Sequence, residues 1–240
     1  MAQLQSGEVG IVVTDKTPFY AESGGQVGDI GRIAGDTFEF RVTDTQISAA
    51  QHLHIGTVAS GAIESGVLGV AAVAPLERDR TRANHSATHL LHAALRSVLG
   101  RHVQQKGSLV NAEKLRFDFS HEGSVSREQL AQIEDQVCEQ VRNNTAVDTR
   151  LMSYEDAVAG GAMALFGEKY ADQVRVLNMG SGYSVELCGG THVQRTGDIG
   201  GFKIQLETGI AAGVRRIEAV TGQAAVCLLY TSDAADEGLG

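Results

Sequence analysis

The sequence predicts an α+β fold in which a small, glycine-rich β-barrel-like domain precedes an α+β domain with an antiparallel sheet and helices. The first part of the chain consists of short β-branched runs separated by glycines, a pattern typical of small barrels. The second part shows helical periodicity with capping residues, followed by a return to strand-like alternation. Helices and strands that occur in blocks, rather than in strict alternation, favour the α+β class.

The predicted first domain covers residues 1–76, and we expect it to be truncated on its N-terminal side. Its strand-like runs lie at 9–13, 29–33, 37–42, 55–58 and 67–73. The pair Gly24-Gly25 interrupts these runs, and two interpretations of it are open. It is a loop that closes over a functional pocket, or it is a turn that connects strands. Pro75 and the charged residues 77–82 mark the predicted domain boundary.

The predicted second domain covers residues 77–226 and begins with a helix over 84–99. Asn84 suits the N-cap of this helix and Gly100 its C-terminal end. A loop is expected at 104–108, and the alternating apolar residues of 114–120 predict a strand.

Two further helices are indicated by capping signals. Ser126 and Gln129 form a capping-box pattern, and Ser153 precedes Asp156 in the same way. The remaining strands are predicted at 173–179, 183–187, 202–207 and 214–220.

Residues 227–240 depart from the rest of the chain. They look like the reading-frame translation of a transposase-end sequencing-library adapter, so we expect a non-native tail that belongs to neither domain. The alternative is an ordinary acidic tail. An adapter origin removes Cys227 from the candidate functional residues.

Composition restricts the class of protein. No segment approaches the ~20 apolar residues of a membrane span, and no basic-then-apolar leader precedes the first strand. Three widely spaced cysteines do not form a disulfide framework. We therefore expect a cytoplasmic protein without membrane contact.

The formal net charge of −9 disfavours a nucleic-acid partner, but the charge is unevenly distributed. Between Arg78 and Asp118 eight basic residues face only three acidic ones. A local excess of positive charge matters more than the total for docking a polyanion.

Two short stretches carry most of the predicted chemistry. His85 and His89 lie one turn apart on the predicted helix, and Cys188 and His192 flank a Gly-Gly turn after a predicted strand. Three imidazoles and one thiolate are donors that zinc prefers. Binding would weaken in acid, because neutral imidazole and thiolate are the ligating forms.

Other kinds of site fit less well. Ser86 stands where the His-Glu-x-x-His motif of zinc proteases has its glutamate. A nucleophilic pair of Cys188 with one histidine is a competing catalytic hypothesis, but it leaves the other histidines unexplained. His92 lies further round the helix and is a poorer ligand candidate.

Residues 8–226 closely resemble the editing region of bacterial-type alanyl-tRNA synthetases, and more distantly the free-standing AlaX trans-editing proteins. The segments that carry the resemblance lie at 17–29 (TPFYAESGGQVGD), 84–89 (NHSATH), 105–108 (QKGS), 161–170 (GAMALFGEKY), 186–192 (ELCGGTH) and 213–222 (GVRRIEAVTG). The segment at 161–170 favours the synthetase over AlaX.

The resemblance implies the second-additional-domain fold of threonyl- and alanyl-tRNA synthetases, and a Zn²⁺ site made by His85, His89, Cys188 and His192. It also implies hydrolysis of seryl or glycyl esters at the 3′ end of mischarged alanine tRNA. Family positions that line the editing pocket fall on four residues, Thr88, Gln105, Ser108 and Arg215, and Arg216 is a neighbour of the last. Without the resemblance, each of the first four is better explained as an ordinary helix, loop or strand residue. The resemblance reverses that interpretation for Gln105 and Arg215, and for Thr88 and Ser108 it leaves both interpretations open.

Two hypotheses about function follow. The first is a zinc-dependent aminoacyl-tRNA deacylase; the second is a zinc-stabilised tRNA-binding module without hydrolytic activity. Four protein ligands that close a tetrahedron favour the second. We also expect the aminoacylation core and other parts of the parent synthetase to be missing, so that this chain alone neither activates alanine nor charges tRNA.

Overall fold

The structure is a computed structural model that describes residues 3–164 and 171–228. The described chain contains three antiparallel sheets together with helices, so the predicted α+β class is confirmed. It divides into two compact units, Met1–Asp79 and Arg80–Gly240. Residues 165–170, in the predicted GAMALFGEKY segment, and residues 229–240 of the predicted tail lie outside the described residues.

The first unit is built on one six-stranded sheet. Its strands are β1 (Gln3–Gln5), β2 (Val9–Val12), β3 (Gly31–Ala34), β4 (Phe38–Ser48), β5 (Gln51–Glu64) and β6 (Val70–Val73). Their order is β1-β5-β4-β3-β6, with β2 also paired to β5. Phe38, Phe40 and Val42 alternate along β4 and are buried in the core of this unit.

The sheet is open, which corrects the predicted barrel-like closure. β6 pairs with β3 at one edge, β1 and β2 pair with β5 at the other, and no described pairing joins the two edges. Short strands and glycine turns occur in open sheets and barrels alike. Only the pairing of the first and last strands distinguishes them, and the sequence pattern does not encode that pairing.

The long hairpin of β4 and β5 was only partly predicted. Its two-residue connection is Ala49-Ala50, with φ of 47° and 63°. Positive φ at both positions is the geometry of a type I′ turn, which usually contains Asn or Gly. Two alanines carry no such signal. Gly24 and Gly25 form another tight turn, closed by reciprocal backbone hydrogen bonds between Ser23 and Gln26.

The long helix α1 (Pro75–Leu99) begins nine residues before the predicted start. Proline is favoured in the first helical turn, because its missing N–H has no helical partner there. Asn84 is therefore a helix-interior residue and not the N-cap that the sequence predicted. It is 2% exposed. The apolar stripe begins late, and the charged first turns gave no periodic signal.

The second unit contains two sheets. The four-stranded sheet has the order β12-β13-β8-β7, and the three-stranded sheet has the order β11-β10-β9. The strands are β7 (Gln105–Val110), β8 (Leu115–Ser120), β9 (Asp148–Ser153), β10 (Gln173–Met179), β11 (Ser184–Leu187), β12 (Phe202–Ala211) and β13 (Val214–Thr221). The predicted loop at 104–108 is thus mostly strand β7, which corrects that prediction.

The other helices are α2 (Arg127–Asn143), α3 (Tyr154–Ala159), a 3-10 turn at Thr196–Ile199 and a helical stretch at 222–228. The capping box of Ser126 and Gln129 is confirmed, and Ser153 caps α3 as predicted. None of the helices in the described ranges is both long enough and apolar enough to cross a membrane.

The main core lies in the second unit. Leu90, Leu91 and Leu95 of α1 are fully buried in one cluster with Phe117 and Phe119 of β8. This packing fixes α1 within the unit, and with it the histidines that α1 carries.

We predict that Leu91→Ala lowers the free energy of unfolding by about 2–5 kcal/mol, because the side chain is fully buried and its removal leaves a cavity. The matched control is Leu151→Ala, at a side chain that is 72% exposed, with an expected loss below about 0.5 kcal/mol. Urea unfolding followed by circular dichroism measures both. Equal losses would contradict the proposed core.

Candidate metal centre

The candidate ligands come from α1 and from the turn that follows β11. His85 and His89 are separated by one helical turn, and their rings stack with centroids 5.1 Å apart. Cys188 directly follows β11, and its backbone N–H donates to the carbonyl of Arg175 (3.0 Å). The Arg175 guanidinium donates to the carbonyls of Gly189 (3.3 Å) and Gly190 (2.9 Å). The Gly-Gly turn is therefore anchored to β10, and it returns the chain so that His192 faces Cys188.

The four side chains converge on one point. Their donor atoms all lie within 4.8 Å of one another. Cys188 Sγ is 3.5 Å from His85 Nε2 and 3.4 Å from His192 Nε2, and His192 Nε2 is 3.3 Å from His89 Nε2. In a tetrahedron with zinc bond lengths, neighbouring nitrogens are about 3.3 Å apart, and sulfur and nitrogen about 3.6 Å. The arrangement therefore fits a tetrahedral ion of this size.

Burial and charge favour the ligating form of the cysteine. Burial by itself would raise the pKa of Cys188, but the nearby His85 and His89 and the hydrogen bonds from His192 and His85 hold this pKa well below its usual value. The backbone N–H of Gly190 also donates to Cys188 Sγ (3.4 Å). Burial lowers the pKa of His192 to about 3, so this imidazole is neutral at pH 7.

His89 behaves differently. Burial would lower its pKa, but the charges of Cys188 and Glu186 outweigh that effect and raise the pKa to about 10. Without a metal, His89 therefore holds the proton that balances its two anionic neighbours. A metal ion at the cluster would displace this proton, so binding would release it to solvent.

Glu186 is a functional candidate that the sequence reasoning missed. It is 2% exposed, and its carboxylate accepts hydrogen bonds from His89 Nδ1 (2.7 Å) and His92 Nδ1 (3.0 Å). His89 and His92 together lower the pKa of Glu186 far below its usual value, against the effect of burial. A signal was available: Glu186 lies two residues before Cys188 at the end of a strand, and such residues point to the same face.

Two buried polar side chains of α1 tie the helix to its surroundings. Ser86 Oγ accepts a hydrogen bond from the backbone N–H of Val193 (3.1 Å), the residue after ligand candidate His192. Asn84 donates to the carbonyl of Asn111 (2.8 Å) and accepts from Thr221 Oγ1 (2.7 Å). These bonds fix the height and rotation of α1 beside the ligand turn.

The predicted pocket residues occupy different positions. Thr88 is buried, and its hydroxyl donates to the carbonyl of Asn84 one turn earlier (2.9 Å). Gln105 on β7 and Arg215 on β13 both pair with Phe119 of β8, one from each side. Ser108 lies opposite Phe117, two residues along β8. Gln105, Ser108 and Arg215 therefore follow one stretch of the four-stranded sheet, and no described hydrogen bond joins them to the four-donor cluster.

Folding pairs several basic side chains of the second unit with carboxylates. Arg215 makes a two-pronged ion pair with Glu207 (2.6 and 2.8 Å), and Arg216 makes another with Asp118 (2.6 and 2.8 Å). Lys114 pairs with Glu218 (2.7 Å). Within the stretch between Arg78 and Asp118, Lys114 is thus paired with a distant acid, whereas Asp118, one of the three acids counted there, is paired with a distant arginine.

We predict that Cys188→Ala lowers the affinity for Co²⁺, used as a spectroscopic probe of soft tetrahedral sites, by more than about a hundredfold. Losing a supporting residue outside the ligand set already costs ten- to a hundredfold. The matched control is Cys138→Ala, at a half-buried thiol of α2 that lies outside the cluster. The sulfur-to-cobalt absorption band reports binding. The assignment would be refuted if the band were lost in Cys138→Ala and retained in Cys188→Ala.

Comparison with known proteins identifies two family models along the chain. The model described as the threonyl and alanyl tRNA synthetase second additional domain matches residues 174–218, which include Glu186, Cys188, His192 and Arg215. The model of class II (A) tRNA synthetases matches residues 1–74.

Curated relatives with the name alanine–tRNA ligase match nearly the whole chain. The relative from Saccharophagus degradans is 58% identical over 229 residues, 95% of this chain and 26% of that protein. The one from Pseudomonas syringae pv. tomato is 57% identical, over 97% of this chain and 27% of the relative. The chain thus spans about a quarter of the length of these relatives. Over its length the chain corresponds to a region of alanine–tRNA ligase that includes the second additional domain.

Proposed function

We propose that this chain hydrolyses seryl or glycyl esters at the 3′ end of mischarged alanine tRNA, at a zinc site formed by His85, His89, Cys188 and His192. The observation that carries the proposal is the convergence of these four donors in a region of the alanine–tRNA ligase family. The sequence resemblance to the editing region assigns the same residues to zinc. Cytoplasmic location follows from the site of protein synthesis.

The choice of zinc rests on the chemistry of the donors. Three imidazoles and one thiolate are borderline to soft ligands, which disfavours Mg²⁺ and Ca²⁺. Three of the donor separations, at 3.3–3.5 Å, are those of a tetrahedral site, and all donors lie within 4.8 Å of one another. When bound, zinc supplies a Lewis-acidic centre that holds the amine or hydroxyl of the substrate, or polarises a water molecule.

Hydrolysis of an activated ester requires few catalytic groups. Water adds to the carbonyl carbon of an activated ester, the bond to the ribose oxygen breaks, and the tRNA leaves with a free hydroxyl. The protein must position the ester and stabilise the negative charge that develops on the carbonyl oxygen. Four protein donors leave no open tetrahedral position, so an ion here would have to release one donor or add a fifth ligand before it contacts water or substrate. We propose that the contact is with the substrate and that the site mainly positions it.

The pocket residues supply the neutral hydrogen bonds in this proposal. The hydroxyl of Thr88 donates to the Asn84 carbonyl, which leaves its oxygen free to accept a bond from a seryl hydroxyl. Gln105 and Ser108 make no side-chain hydrogen bond within the described ranges, and both are half-buried. Groups of this kind discriminate by hydrogen bonding to the substrate hydroxyl. An analogue that lacks the hydroxyl leaves these protein groups without a partner.

Arg215 is proposed to contact the terminal nucleotide of the tRNA. Its bonds to Glu207 use Nε and Nη2. The ion pair therefore holds the guanidinium in one orientation and leaves Nη1 for a nucleic-acid oxygen. Contacts of this kind fix the register of the bound strand and do not read its sequence.

A zinc-stabilised tRNA-binding module without hydrolysis is the second candidate. The closed set of four donors favours it, because structural zinc sites have four protein ligands whereas catalytic sites usually keep one open position. The two candidates differ in turnover and share zinc and tRNA binding.

We predict that the zinc-loaded chain deacylates alanine tRNA mischarged with serine. We also predict that Gln105→Ala slows this reaction by about a hundredfold. For this prediction we propose that the Gln105 amide donates to the carbonyl oxygen as its negative charge develops, and removing a donor of that kind typically has this effect. Gln104→Ala is the matched control, since Gln104 is its exposed neighbour in sequence. Release of labelled serine at fixed enzyme concentration measures the rate.

Absence of turnover by a folded, zinc-loaded chain that still binds tRNA would reject the hydrolase and support the binding module. Equal rates in the two glutamine variants would remove Gln105 from the site.

A further inference from the structure

We infer that Glu186 is a positioning residue for the metal centre, and that His92 acts with it by holding the carboxylate in place. The inference deepens the proposed function and rests on the proposed metal site. It concerns two buried residues that the four-donor cluster does not include.

The first step of the argument is the hydrogen bond between Glu186 and His89. Glu186 Oε2 lies 2.7 Å from His89 Nδ1, and both side chains are nearly inaccessible, at 3% and 5% exposure. A carboxylate accepts, so Nδ1 carries the hydrogen when the ring is neutral. The lone pair then resides on Nε2, the atom that lies 3.3 Å from His192 Nε2 within the cluster. The bond thus selects the tautomer and aims the ring.

The second step concerns the other carboxylate oxygen. Glu186 Oε1 accepts from His92 Nδ1 (3.0 Å) and, more weakly, from Ser184 Oγ (3.4 Å). His92 is itself fixed against the ring of Phe117, with centroids 5.2 Å apart. Because both oxygens have donors, rotation of the carboxylate away from His89 would break a second buried hydrogen bond. His92 therefore stabilises the orientation that His89 requires.

The third step is charge balance. A divalent cation with one thiolate and three neutral imidazoles carries one net positive charge in a buried place. The carboxylate of Glu186 cancels it. An uncompensated buried charge is strongly destabilising, so metal binding should depend on this carboxylate even though it lies outside the ligand set.

The test measures metal affinity directly. We expect Glu186→Gln to weaken zinc binding by about ten- to a hundredfold, measured by competition with a chromophoric chelator. Glutamine keeps the size of the side chain and removes its charge. The matched control is Glu134→Gln, a partly buried carboxylate that accepts from the backbone N–H of Ile204 and from Lys203; its affinity should remain within twofold of the parent chain.

A positioning role also predicts a spectroscopic change. The cobalt-loaded Glu186→Gln chain should show altered d–d absorption, because the orientation of one imidazole is no longer fixed. A general loss of stability would not shift this band. His92→Gln should weaken zinc binding by a smaller factor than Glu186→Gln. The double variant should bind no more than twofold more weakly than Glu186→Gln alone, because the two residues act through one contact.

Zinc affinity and a cobalt spectrum unchanged in Glu186→Gln would overturn the inference, and so would a spectrum like that of the parent chain with reduced affinity. If Glu186→Gln does not fold, His92→Gln decides: binding at least threefold weaker supports the inference, and unchanged binding overturns it. A parent chain that binds zinc without deacylating tRNA rejects the proposed hydrolysis alone. A parent chain that binds no zinc rejects both.

Discussion

The burial of α1 is the constraint on which the site depends. From Ala83 to His92 every residue of this helix is buried. An ordinary surface helix shows one apolar stripe and one solvated face, whereas here the polar side chains are also excluded from water. Buried polar groups must be paired, because an unpaired one costs about 1–3 kcal/mol. The partners of Asn84, Ser86, His89 and His92 consequently hold α1 in one rotation and one height.

Those partners connect α1 with parts of the chain about a hundred residues away. Ser86 binds the backbone beside His192, and His89 and His92 bind Glu186. The hydrophobic contacts of Leu90, Leu91 and Leu95 with the four-stranded sheet position the helix coarsely. The polar contacts then set the ring positions within the few tenths of an ångström that metal coordination requires. Core packing and the candidate site therefore depend on the same helix.

The electrostatics of the cluster explain why a metal ion would suit it. A buried thiolate and a buried carboxylate lie within reach of His89 and raise its pKa to about 10. Without an ion, the proton on His89 lies between these two anions. A divalent cation replaces this proton and compensates both negative charges. Three pairs of donor atoms already stand at tetrahedral separations.

The sequence by itself determined the features that local spacing encodes. Local periods and motifs predict the alternation of Phe117 and Phe119, the capping box at Ser126 and the four candidate ligands. Tertiary structure decided the rest. The early start of α1 at Pro75, the Ala49-Ala50 turn and the open edges of the first sheet depend on contacts between distant residues or on backbone angles without a characteristic residue. Glu186 shows the difference most clearly. In the sequence it is one acidic residue among many, and only the fold makes it a buried carboxylate between two histidines, because a hydrogen bond across more than ninety residues requires the chain to be folded first.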